Sequence, residues 1–472
     1  MRNLSILAAG LLASAAANAA TYDLYIGGAS AQTAFWQNDF GATVCNGVGN
    51  VVVYTATLNG GSTGAPANVA WRCTAAGSPP AGINVNDVVT VHYNSELGSV
   101  SGVAPMVYDT GIARRLFVNP DSLDCSAPVS NASNCDMTAY DNHNETFTSA
   151  HGDVLQPMPA RTGQTFHQFD LGATDVEPKH WSLSQNWPDS SYAAAFGSVP
   201  SSAALTTLAA SGTVMNGQVF SVIVNNSGPM AGKSSISSAS LRAIFTGQYQ
   251  NWGEVPEVGG GNTTQIVLCR REHGSGTQVS MSIFITGNEC GRSPQQIASI
   301  ASPGNLGAAN INEATSTGKV RTCVTGAAGG IGITSVAVNE ASYHTLDIDS
   351  VQANTHNAAN GFYPFWMESY AYNLSSASGA AAPMAALAAQ LITNARKVTA
   401  LTTAGNIETD AVQGASGTYT GSVRKSNFAL PIGGTGNTPA TVAKAASVSA
   451  ALVGLTTKGG DNCKLPFNSN LQ

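Results

Sequence analysis

The chain has 472 residues, 43% hydrophobic and only 10% charged. That length suits two domains with a substantial core, and the composition excludes both a disordered chain and a membrane bundle. With 20 Lys and Arg against 27 Asp and Glu, the formal net charge of −7 offers no basic footprint for nucleic acid.

Residues 1–19 read as an export signal: Arg2 supplies the positive start, Leu4 to Ala13 the short apolar stretch, and Ala17-Asn18-Ala19 the small-residue cleavage site. The stretch is too short to remain as a membrane span, and no cysteine follows the cleavage point to carry a lipid. Nothing later reads as a transmembrane helix, since the best apolar run, 379–395, contains Pro383 and Gln390. A soluble periplasmic or secreted protein is expected. The eight cysteines behind such a signal imply disulfides rather than structural zinc, because no C-x-x-C pair occurs. Proximity favours Cys45 with Cys73 and Cys125 with Cys135; the pairing of Cys269, Cys290, Cys323 and Cys463 stays open.

One local grammar recurs along the chain. Tyr22 to Ile26 is β-prone and ends in Gly27-Gly28-Ala29-Ser30-Ala31, with a helix expected from Gln32. Val88 to Tyr93 precedes Gly98-Ser99-Val100-Ser101-Gly102, and Phe166 to Leu171 runs into Gly172-Ala173-Thr174-Asp175. Ile266 to Arg271 leads into Gly274-Ser275-Gly276-Thr277. Strands alternating with helices predict an α/β protein with mostly parallel sheets, whose strand ends are the usual place for ligands. The Gly-, Thr- and Asn-rich stretch 46–87 and the stretch 121–161, with two cysteines and little hydrophobic periodicity, read as surface excursions stapled by disulfides. Leu241, Ile244 and Phe245 fall at helical spacing before Gly247, and Pro383 opens a helix with Met384, Leu387, Leu391 and Ile392 on one face. The tail from Thr402 shows no clear pattern.

The chemistry concentrates in Arg270-Arg271-Glu272-His273-Gly274-Ser275-Gly276-Thr277. A helix opening at this turn would aim free N–H groups and its dipole at an anion, with Ser275 and Thr277 adding hydroxyls and Arg271 a planar cation. An ordinary capped turn is the plainer alternative. Ser30, Ser99 and Asp175 sit in the same kind of strand-to-helix turn, which favours convergence on one ligand. Asp175 is the selective element: a carboxylate repels a fully ionised anion such as sulfate but accepts the proton that phosphate carries. Its plainer alternative is an Asx turn or helix cap.

These words, with Leu241-Arg242-Ala243-Ile244-Phe245-Thr246-Gly247, Asn251-Trp252, Gly330-Ile331-Gly332-Ile333 and Gly361-Phe362-Tyr363-Pro364, occur in an order that resembles the periplasmic phosphate-binding proteins of ABC uptake systems. The resemblance runs from residue 25 to residue 364. It implies a two-lobed periplasmic binding protein fold, each lobe a mostly parallel sheet flanked by helices, with the ligand in the interlobe cleft. Lobe one would comprise 20–220 and 360–472, lobe two 221–359. Arg271, Ser275, Gly276 and Thr277 would bind the anion from lobe two, and Ser99, Asp175 and the Ser30 turn from lobe one. The sequence departs from the family at Gln32-Thr33, where a threonine-aromatic pair is usual. It departs again at His273, where the usual aspartate braces the arginine and Glu272 is expected to substitute.

Other signals are weaker. Ser227 to Ser234 nearly spells a phosphate loop, but Ser227 stands where its first glycine belongs. His143, Glu145, His151 and Asp153 share a polar excursion with no element to space them as metal ligands. Trp181, Trp187 and Trp252 suit core or interlobe packing. No motif ties a histidine to a serine or cysteine nucleophile, so no catalytic residue, cofactor or metal is expected. The expected function is capture of inorganic phosphate by a monomer, with an ABC permease as partner. The rival readings are a secreted or surface protein of this fold that takes another oxyanion or a macromolecular partner, and an exported phosphatase.

Overall fold

The computed structural model describes residues 19–58, 68–95, 98–107, 114–137, 165–188, 199–335, 341–354, 357–358, 361–373, 382–396, 456–458, 460–465 and 467–468. The export signal, the His143–Asp153 group and residues 402–455 of the tail lie outside the described residues.

The first half builds a sheet from β1 (Thr21–Gly28), β2 (Val52–Leu58), β3 (Asn68–Thr74), β4 (Val88–Asn94), β6 (Ala132–Met137) and β8 (Leu171–Thr174), with β5 (Arg114–Phe117) and β7 (Thr165–Gln168) paired separately. The second half adds β9 (Thr213–Asn225), β10 (Ser235–Ile236), β11 (Val267–Arg271), β12 (Ile311–Ala314), β13 (Gly330–Ser335), β14 (Tyr343–Ile348) and β15 (Trp366–Asn373). Main-sheet strands run in the order β12-β11-β13-β9-β15-β8-β1-β4-β3-β2-β6. The strands that deliver the small-residue turns are parallel: β1 lies between β4 and β8, and β11 between β12 and β13. The expected α/β class therefore holds. The sheet as a whole is mixed, because β9 and β15 run against their neighbours and β2–β3–β4 is an antiparallel meander.

The 13-residue β9 joins the two halves. Thr213 to Val219 pair with β15, while Phe220 to Val224 pair with β13 and Val222 to Asn225 with β14. The return path is stitched to the same point, where Phe220 N donates to Phe365 O at 3.1 Å and Tyr363 Oη donates to Phe220 O at 2.7 Å. The chain thus passes this point twice, at Phe220 on the way out and at Tyr363 and Phe365 on the return.

Both stretches expected as excursions contribute strands. β2 and β3 lie within 46–87, and β6, within 121–161, extends the edge in parallel with β2. Val51-Val52-Val53-Tyr54 is a β-branched and aromatic run, and its pairing outweighs the Gly- and Asn-rich flanks.

The helices expected after Gln32, at 241–245, from Pro383 and at the Gly274–Thr277 turn form, and three more at 104–107, 202–211 and 317–326 join them. They are α1 (Thr33–Thr43), the short α2 (Ala104–Val107), α3 (Ser202–Ser211), α4 (Ser238–Phe245), α5 (Gly276–Met281, running on through a π turn to Thr286), α6 (Thr317–Gly326) and α7 (Ala382–Asn394). Ser237 caps α4, accepting from Ser240 N, and Gly247 beyond it has φ 70°, a conformation glycine enters freely. Met384, Leu387, Leu391 and Ile392 of α7 are buried with Phe35, Trp36, Phe40, Trp71 and Tyr93 in the first core. A larger core spans the crossing, holding Val219, Phe220, Tyr363 and Phe365 with Trp181, Trp187 and Trp252. The phosphate-loop look-alike at 227–234 forms turns ahead of β10, with no helix to receive a phosphate.

Four disulfides form: Cys45–Cys73 and Cys125–Cys135 as expected, with Cys269–Cys323 and Cys290–Cys463. The third ties β11 to α6. The fourth joins the segment after α5 to the C-terminal stretch, whose Gly460 O accepts from Tyr370 Oη of β15 at 2.6 Å. Asn462 N of that stretch donates to Glu177 at 2.8 Å, so the tail bridges β15 and the α5 region. With every cysteine paired, thiol labelling under denaturing, non-reducing conditions should detect almost none; four or more reactive thiols would contradict this pairing.

Candidate functional site

The four small-residue turns meet where the two halves touch. Gly274, between β11 and α5, donates its N–H to Asn186 O at 2.9 Å and accepts at its carbonyl from Val100 N at 2.9 Å. The approach is close enough to require glycine twice. A Cβ on Gly276 would lie 2.2 Å from Ser99 Oγ and 2.8 Å from Asp175 Oδ2. Gly98, with φ 71°, would place one 3.1 Å from Ser275 Cα.

Arg271 ends β11 and is 1% exposed. Its guanidinium is fixed on one side by Ala314 O (3.0 Å from Nε) and Thr315 O (3.3 Å from Nη2). Glu272 Oε1 lies 3.2 Å from Nη2 and braces it. Nη1 reaches across to Ser30 Oγ at 3.1 Å and to Thr317 Oγ1 at 3.5 Å. All five N–H donors therefore have oxygen partners, in the planar fork that suits oxyanions.

Arg270 turns away from the cleft, as alternation along a strand requires. Its Nη1 donates to Ala298 O at 3.0 Å and lies 3.8 Å from Glu313, and burial pushes its pKa down to about 10.

Asp175 follows β8 and is buried facing α5. Ser99 Oγ, 3.3 Å from Oδ2, and Gln32 Nε2, 3.4 Å from Oδ1, donate to it. Burial pushes its pKa up to about 6, opposed by the Arg271 charge and by the hydrogen bonds from Ser99 and Gln32. Near neutral pH it is a desolvated carboxylate able to take a proton from a partner. Ser275 occupies the N-cap position of α5, yet its side chain makes no cap bond; Ser275, Gly276 and Thr277 are all buried. The first N–H groups of α5 thus lie next to Asp175.

Ser30, Ser99, Asp175, Arg271, Ser275 and Gly276 accordingly lie close together, with Thr277 buried one residue further along α5. The sequence reading missed Thr317 and Asn186, and treated Gln32 only as a departure. Thr317 was findable, because Ile311 to Ala314 followed by Thr315-Ser316-Thr317-Gly318 repeats the strand, small-residue turn and helix pattern. Asn186 contributes through its backbone carbonyl, which no side-chain pattern reveals. Among the described residues no cluster of His, Cys, Asp and Glu could hold a metal ion, and no helix is long and apolar enough to cross a membrane.

An α/β molecule whose two halves meet over an arginine, a helix N-terminus and a buried carboxylate has the makings of a two-lobed binding protein. Residues 192–394 match the family model of a PBP superfamily domain, and the resemblance read from the sequence is borne out. The phosphate-binding protein PstS of Bacillus subtilis is 29% identical over 154 residues. That match covers 32% of this chain and 44% of the relative, so the chain spans less than half of that relative's length. Similar solved structures include an ABC-type phosphate transport receptor from Vibrio cholerae (14% identity, 50% of this chain and 77% of that one, TM-score 0.31). Another is a putative phosphate ABC transporter substrate-binding protein with bound phosphate from Clostridium perfringens (16%, 50% and 76%, TM-score 0.32). A high-affinity periplasmic phosphate-binding protein, PfluDING, bound with phosphate, covers more (14%, 74% and 80%, TM-score 0.37).

Proposed function

We propose that this protein is an exported solute-binding protein that captures inorganic phosphate between its two lobes and delivers it to an ABC-type permease. The observation that carries the reading is the placement of a buried, proton-accepting Asp175 beside Arg271 and the start of α5. Phosphate can satisfy both sides at once, giving a proton to the aspartate and taking hydrogen bonds from the arginine and the backbone donors. Sulfate has no proton to give and would face the carboxylate unpaired. The disulfides fit an oxidising compartment. With a net charge of −7 there is no long-range attraction for an anion, so capture rests on local dipoles and on lobe contacts that form with the ligand.

Titration calorimetry with phosphate and sulfate tests this. Wild type should bind phosphate and reject sulfate at neutral pH. Asp175→Asn keeps the shape but adds a donor, so phosphate affinity should fall and sulfate binding should rise. The pH dependence has a definite sign. Selectivity is present above about pH 6, where Asp175 is ionised, and is lost as pH falls through that value. Equal affinity of the wild type for both anions at neutral pH would remove Asp175 from this role.

A further inference from the structure

Gln32 closes the Ser30–Gln32 turn and is 2% exposed. Its amide can be oriented in only one way. Nε2 lies 3.1 Å from Thr174 O and 3.4 Å from Asp175 Oδ1, and both are acceptors, so the NH2 group must face them. That leaves Oε1 buried and without a hydrogen-bond partner among the described residues. An unpaired buried carbonyl is costly, and such groups persist where a partner arrives with function. Because the two amide atoms share one carbon, Oε1 stands one amide's width from the nitrogen that touches Asp175. Beside the Asp175 carboxylate there is thus a second acceptor, a neutral buried carbonyl.

The groups around this pair come from every packed element. Arg271 and Glu272 face it from β11, with Arg271 reaching Ser30 of the same turn as Gln32. Tyr93 of β4 donates its hydroxyl to Ala29 O at 2.5 Å, and Tyr372 of β15 lies 3.5 Å from Thr174 Oγ1. Ser99 Oγ is on Asp175.

We infer that Gln32 is a specificity residue of the cleft: its carbonyl accepts from a second hydroxyl of the anion, so the site selects dihydrogen phosphate. The protons and acceptors then match. Two P–OH groups donate to Asp175 and Gln32, and the two remaining oxygens accept from Arg271 and from the start of α5. This rests on the phosphate reading above and adds to it which ionic form is taken.

The test is calorimetry on the full chain, wild type and Gln32→Met, with inorganic phosphate and phosphite from about pH 6.5 to about pH 9, above the Asp175 transition. Phosphite has a hydrogen in place of one hydroxyl, so its monoanion offers one donor where phosphate offers two. Wild-type affinity for total phosphate should fall about tenfold per pH unit above the second ionisation of phosphate, as the dihydrogen form is depleted. Gln32→Met should weaken phosphate at least tenfold at the lower pH, converge with wild type at the upper, and change phosphite less than twofold. The proposal is overturned if Gln32→Met weakens both anions by one factor at every pH, or changes neither. Should the variant fail to fold, the wild-type pH profile decides alone, and a flat profile overturns the proposal. Wild-type protein that binds no phosphate at any pH would instead remove the phosphate reading itself.

Discussion

Gly276→Ala is expected to weaken phosphate binding roughly ten- to a hundredfold while leaving the melting temperature of ligand-free protein unchanged or higher. The added methyl would lie 2.2 Å from Ser99 Oγ and 2.8 Å from both Cβ and Oδ2 of Asp175. Ser99 and Asp175 are themselves buried and hydrogen-bonded to each other, so neither can swing aside cheaply. Forcing a methyl into such a contact costs about 1–3 kcal/mol, and 1.4 kcal/mol is a factor of ten in affinity. The cost falls on the contact of this turn with Ser99 and Asp175 rather than on α5 itself, because Gly276 has no left-handed φ and opens a helix where alanine is the better former. Calorimetric titration paired with a thermal melt separates the two effects. An alanine variant that binds phosphate within threefold of wild type would show that the halves need not approach this closely when the ligand is held.

Much of the site was legible because its information is local. Gly274-Ser275-Gly276-Thr277 specifies a turn and a helix start from its own residues, and a charged side chain one position before the end of such a strand has only two faces to choose between. The pair Arg270-Arg271 accordingly divides, one side chain reaching Ser30 Oγ and the other Ala298 O. The unread features depend on partners far along the chain. β9 is one continuous run, and nothing in its periodicity marks Phe220 as the point where pairing with β15 ends and pairing with β13 and β14 takes over. Cys290 and Cys463 are 173 residues apart, and their pairing follows from how the tail docks on Glu177 and Tyr370. β2 and β6 lie at the sheet edge, where half-exposed Thr and Ala positions look like loop until the neighbouring strand is known. Gln32 was visible as a departure from the family pattern, but its free carbonyl emerges only once Thr174 and Asp175 claim the amide nitrogen.

Arg271→Ala is expected to weaken phosphate binding at least tenfold, and Arg270→Ala to change it less than threefold while lowering the melting temperature. Each hydrogen bond from a guanidinium to an anion contributes about 1.5–3 kcal/mol, so losing even one accounts for a factor of ten. Removing Arg271 also strips Glu272 of a positive partner 3.2 Å away in a buried site, leaving its negative charge less balanced where an anion must enter. Arg271→Lys should recover only part of the loss, since an ammonium cannot span Ala314 O, Glu272 and the cleft with one fixed plane. Arg270 is as deeply buried, yet its bonds run to Ala298 O and towards Glu313, so its loss acts on folding. Affinities measured on folded protein at a temperature below both transitions keep these effects apart. If Arg270→Ala weakens phosphate more than Arg271→Ala does, the strand is out of register by one residue, and the placement of Ser275, Gly276 and Thr277 at the anion fails with it.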